Sequence, residues 1–108
     1  MTPEKKIQNS IIDYLTKLEK AREPIFFERR QAGGFSYKKG IPDLYAVYYG
    51  IHIEIEVKAI NGKLSTMQEK FEEKCKKLKI PYVCAKNVQD VQKLLEQVKN
   101  IAKRLLLE

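Results

Sequence analysis

Residues 40–58 read Gly40-Ile41-Pro42-Asp43-Leu44-Tyr45-Ala46-Val47-Tyr48-Tyr49-Gly50-Ile51-His52-Ile53-Glu54-Ile55-Glu56-Val57-Lys58. β-Branched and aromatic residues crowd both sides of Tyr49-Gly50, so the stretch is expected to form two strands, 43–49 and 51–58, joined by a tight hairpin. Alternation divides it into two faces. Leu44, Ala46, Tyr48, Ile51, Ile53, Ile55 and Val57 share one, and Asp43, Tyr45, Val47, His52, Glu54, Glu56 and Lys58 share the other. The first face is apolar throughout and is assigned to the core. A two-residue turn sets Leu44 against Ile55, Ala46 against Ile53 and Asp43 against Glu56. A slip of one residue would mix the faces and is excluded, whereas a slip of two stays open because Tyr49 occupies a turn position that favours positive φ.

In this register Asp43 and Glu56 have Cβ atoms about 5 Å apart, and like charges so placed destabilise a sheet unless something neutralises them. A divalent cation would do so. Carboxylate oxygens suit Mg²⁺ or Mn²⁺ and leave coordination positions for water and a phosphate oxygen. Lys58 lies two residues past Glu56 on the same face, where its ammonium could position or help deprotonate a water. Metal, water and cation together describe phosphodiester hydrolysis. The plain alternative is a solvated strand face carrying an ordinary acid and lysine pair. Glu54, on that same face, is read as solvent-exposed or as supporting the site at one remove.

Outward from the hairpin, Thr2-Pro3 supplies an N-cap and a first-turn proline, and Ile7, Ile11, Tyr14 or Leu15, and Leu18 recur at helical spacing to about residue 20. Residues 25–29 have strand composition. Residues 29–40 hold four cations and three glycines and read as a long loop. After Asn61-Gly62-Lys63, a second helix carries Leu64, Met67, Phe71, Cys75 and Leu78, and Ser65 with Gln68 has the spacing of a capping box. Residues 82–85 make a fourth strand. Asn87 then caps a helix with Val88, Val91, Leu95, Val98 and Leu105 on one stripe. The order αβββαβ plus a C-terminal helix is an α/β arrangement in one domain, 1–108.

Composition narrows the partners. Twenty-one Lys and Arg against fourteen Asp and Glu leave a net charge of +7, which favours a polyanion such as nucleic acid. Arg29, Arg30, Lys38 and Lys39 are the cations assigned to a phosphate backbone. Phe35 and Tyr37 between them could stack on an unpaired base or plug a dimer interface. Two cysteines, Cys75 and Cys84, and the single His52 lack the spacing of a zinc site or a disulfide framework. The cysteines are read as buried thiols and His52 as an exposed strand residue. No apolar run approaches the roughly 18 residues of a membrane span, and the first residues are polar, so an intracellular, cytoplasmic and soluble protein is expected.

The ordered set Gly40-Ile41-Pro42-Asp43, Glu56-Val57-Lys58 and Gln68 resembles the VRR-NUC family of the PD-(D/E)XK nuclease superfamily, over nearly the whole chain. The resemblance implies a restriction-endonuclease-like core. It also implies that Asp43, Glu56 and the Val57 carbonyl hold a metal ion, that Lys58 serves the nucleophilic water, and that Gln68 supports the site. A helix-one glutamate often completes the acidic site in that family, and Glu4 is the best-placed match; its plain role is to favour the positive end of the helix. Standalone members resemble junction resolvases and act as homodimers. The expectation is therefore a Mg²⁺- or Mn²⁺-dependent endonuclease for branched DNA such as Holliday junctions, dimerising through the apolar C-terminal helix. A non-catalytic DNA-binding module and a sequence-specific restriction-type endonuclease are the alternatives.

Overall fold

The computed structural model describes residues 1–30 and 40–107. Its elements are α1 (Pro3–Lys20), β1 (Ile25–Arg29), β2 (Leu44–Tyr48), β3 (Ile51–Val57), α2 (Thr66–Leu78), β4 (Tyr82–Ala85) and α3 (Val88–Leu107), the order expected. They build one mixed sheet in the order β1-β2-β3-β4. β1–β2 and β2–β3 pair antiparallel, while β4 lies parallel to β3, which requires the crossover that α2 provides.

The hairpin keeps the expected register, pairing Leu44 with Ile55, Ala46 with Ile53 and Tyr48 with Ile51. Tyr49 and Gly50 take φ of 52° and 78°, the left-handed pair that matches the twist of the flanking strands. Tyr49 accepts that backbone while its ring meets Tyr48 edge-on, with centroids 4.8 Å apart. The strands stop one residue short of the expectation at their far ends, leaving Asp43 and Lys58 just beyond them.

Leu44, Ala46, Tyr48, Ile53, Ile55 and Val57 bury the apolar face against Ile11 and Leu15 of α1 and Val91, Leu95 and Val98 of α3. α3 is thus a full layer of the core beside α1. Its buried stripe ends at Ala102. Leu105, placed on that stripe by spacing, is 64% exposed because the last turn finds no cover, and Ile101 and Leu106 are exposed with it. The helix caps are those expected: Thr2 Oγ1 accepts from the Lys5 N–H, and Asn87 Oδ1 from the Asp90 N–H. Among the described residues no helix is long and apolar enough to cross a membrane.

α2 lies over the opposite face of the sheet, with Cys75 near Glu54. β3 is therefore covered on both sides, and Glu54 and Glu56 are only 4% and 2% exposed. The solvent-exposed reading of Glu54 is corrected here. Alternation tells which residues share a face, and a parallel crossover decides that both faces are covered. Cys75 is buried as expected; Cys84 is only half-buried.

Candidate active site

The β2–β3 ladder ends at Leu44 and Ile55. Continued, it would set Val57 opposite Pro42, which has no N–H and whose carbonyl already accepts from Arg30 Nη1 at 3.1 Å. The Val57 N–H turns instead to two carboxylates, donating to Asp43 Oδ2 at 3.0 Å and to Glu56 Oε2 at 3.2 Å. The two acids that parity placed together do converge on one spot. Glu56 Oε1 is buried and has no hydrogen-bond partner among the described residues.

This crowding has an electrostatic signature. Burial, hydrogen bonding with Asp43 and the Asp43 charge push the Glu56 carboxyl up to about 9, against a smaller downward pull from Lys58 and the Val57 N–H. Without a cation the pair holds a proton. Two carboxylates with an unpartnered buried oxygen form a hard-oxygen donor set that fits Mg²⁺ or Mn²⁺.

The backbone that presents Asp43 is built around Gly40 and Arg30. Gly40 has φ of +89°, and a Cβ there would stand 2.5 Å from the Met67 carbonyl oxygen and 3.0 Å from the Gln68 nitrogen. Only glycine lets the chain lie so closely on the first turn of α2. Three residues on, the Asp43 carbonyl accepts from the Arg30 N–H at 2.8 Å, extending the β1–β2 ladder to the site.

The remaining sequence-assigned residues fall into distinct places. Lys58 is half-buried, its N–H donating to the Ala85 carbonyl at 3.0 Å, and its charge acts on Glu56. Gln68 forms the capping box: its Oε1 accepts from the Ser65 N–H at 2.8 Å while its own N–H donates to Ser65 Oγ at 3.2 Å. Glu4 is exposed on the first turn of α1, and among the described residues no three acids, histidines or cysteines gather as a metal group that would include it. Arg29 is exposed and pairs with Leu44, so strand parity sends it to the face opposite Asp43. Phe35, Tyr37, Lys38 and Lys39 lie outside the described residues.

Sequence reasoning missed a second polar cluster on the site's face. Arg30 grips buried Glu54 through both guanidinium nitrogens, at 2.5 and 2.9 Å, and sits over the Tyr45 ring at 4.9 Å. His52, exposed as expected, reaches Glu54 Oε2 through Nε2 at 2.5 Å and stacks on Tyr45 with centroids 5.4 Å apart. The signal was available in β1, where Arg30 continues the parity of Phe26 and Glu28 toward Glu54.

No family model and no curated protein matches the sequence. Among solved structures, one described as "VRR_NUC domain" superposes with a TM-score of 0.70 at 21% identity, over 89% of this chain and 97% of that one. The restriction-endonuclease-like core that the resemblance implied is thus the architecture observed, and the chain has the fold of a VRR_NUC domain.

Proposed function

We propose that the chain is a metal-dependent deoxyribonuclease of the VRR-NUC type, acting as a homodimer on branched DNA such as Holliday junctions. The observation that carries this reading is the meeting of Asp43 and Glu56 on the Val57 N–H, with the buried Glu56 Oε1 unpartnered among the described residues. A buried carboxylate set against a second, half-buried one is costly and has no structural use that a neutral pair would not serve better.

Asp43, Glu56 and the Val57 carbonyl would hold Mg²⁺ or Mn²⁺, with Glu4 the candidate for a further ligand. When bound, such an ion polarises a phosphoryl oxygen and acidifies a water. Lys58 orients the attacking water through its ammonium and moves a proton at Nζ. Gln68 fixes the first turn of α2 against Gly40 and so holds the wall beside the acids. Arg29 and the surplus positive charge draw the phosphate backbone toward that end of the sheet.

A cleavage panel of duplex, flap, splayed-arm and four-way-junction DNA, with Mg²⁺, Mn²⁺ or EDTA, tests the reading. Cleavage that requires the ion and drops at least ~100-fold in Asp43→Ala, with branched-DNA affinity retained, is expected. Equal inactivity of wild type and variant would leave a DNA-binding module, and recurrent cutting at one motif in random duplex would make it a restriction-type enzyme.

A further inference from the structure

The cluster behind the acids has a geometry that neither a phosphate-binding arginine nor a simple surface pair would need. Arg30 is the residue where β1 leaves the sheet, and three of its groups act on the same neighbourhood. Its N–H donates to the Asp43 carbonyl at 2.8 Å, Nη1 donates to the Pro42 carbonyl at 3.1 Å, and both terminal nitrogens are held by Glu54. The guanidinium therefore joins the two-residue segment that carries one acid to the strand that carries the other, since Glu54 and Glu56 lie on one face of β3. Tyr45 supports the fork from below, and His52 takes up the second oxygen of Glu54.

Pro42 makes this brace necessary. Its ring leaves no N–H to pair with β3, and its carbonyl faces an amide already used by the carboxylates. Nothing in the sheet ladder then fixes the Pro42–Asp43 peptide to β3, and the Arg30–Glu54 pair supplies that link. A lysine could satisfy Glu54's charge, but it has one nitrogen where the geometry uses a planar fork.

Resting on the proposed nuclease reading, we propose that Arg30, anchored by Glu54, is a positioning residue that sets the Asp43 carboxylate against Glu56. Its guanidinium is committed within the fold instead of being offered to DNA phosphates. Partners of this kind, one shell out from a metal-holding carboxylate, typically change metal affinity or activity by about 10–100-fold when altered.

The test uses the whole chain as wild type, Arg30→Lys, the double variant Arg30→Gln/Glu54→Gln, and Tyr48→Phe. The last loses a 2.9 Å bond to Glu23 at the far end of β2 and serves as a destabilised control remote from the acids. Mn²⁺ affinity is read by calorimetry, and kcat, KM and the salt dependence of DNA binding on a cleaved substrate. Arg30→Lys and the double variant are expected to lose about 10-fold or more in Mn²⁺ affinity and in kcat. KM and the salt slope should stay at the wild-type value, and Tyr48→Phe should keep its metal affinity. Unchanged Mn²⁺ affinity with a flatter salt slope would make Arg30 a phosphate contact and overturn the proposal. So would an equal loss in Tyr48→Phe, which would reduce the effect to stability. Wild type that neither binds Mn²⁺ nor cuts would instead refute the nuclease reading on which the proposal rests.

Discussion

At the scale of single residues, Glu56 concentrates the tension of the site. Its carboxyl titrates near 9 in the folded, metal-free chain and near 4.5 when unfolded, so the folded state holds the proton more tightly. Its contribution to stability is complete below the unfolded value and drains away as pH rises toward the folded one. In EDTA the melting temperature of wild type should therefore fall, relative to Glu56→Gln, from about pH 5 to about pH 9. By pH 8 the glutamine variant should have gained on wild type by several °C relative to their difference at pH 4, since 1 kcal/mol is worth roughly 4–8 °C in a domain of this size. Mg²⁺ or Mn²⁺ should raise wild type and leave Glu56→Gln almost unmoved. Parallel melting curves across pH would show that this buried acid is not the strained group. Convergence of Glu56 with Asp43 was legible in the sequence because it follows from parity and turn length. The partner of Glu54 was not, because alternation does not say which face is covered, and Arg30 sits one residue beyond its strand.

At the scale of elements, two joints decide whether the acids meet: the Tyr49-Gly50 turn and the seat of Gly40 on α2. The turn was readable from two flanking apolar alternations, although Tyr49 resists its own backbone angle. The seat was not readable, because a lone glycine after a basic stretch gives no hint that a helix will approach it. Gly40→Ala tests the joint. The alanine must adopt a φ near +89° and place a methyl 2.5 Å from the Met67 carbonyl oxygen, which is backbone and cannot swing aside. A loss of at least ~2 kcal/mol is expected in urea unfolding, from the positive φ together with displacement of α2. A variant as stable as wild type would mean that the loop closes without touching the helix. Gln68 illustrates a different limit of sequence reading. Ser-x-x-Gln serves equally as a helix cap and as the approach of an amide to the acids, and the structure gives its oxygen to the cap.

At the scale of the whole molecule, the sheet divides labour between its faces, with α1 and α3 sealing the apolar side and α2 roofing the acidic one. The exposed end of α3 does not take part in either. Ile101, Leu105 and Leu106 are 47%, 64% and 78% exposed, and their removal costs the monomer little core. Spacing could not reveal this, since Leu105 keeps the helical period of Val91, Leu95 and Val98 while lying past the last element that covers them. If a homodimer forms through that end, Leu105→Asp/Leu106→Asp should convert it to monomer in light scattering, with the melting temperature of the domain itself nearly unchanged. The two substitutions lie on the helix-bearing apolar side, so the meeting of Asp43 with Glu56 should survive them. A flap, which needs one incision, should still be cut, whereas paired incision of a four-way junction should fall to independent single nicks. Paired cutting by a protein that remains monomeric would remove the dimer from the mechanism and leave each domain acting alone.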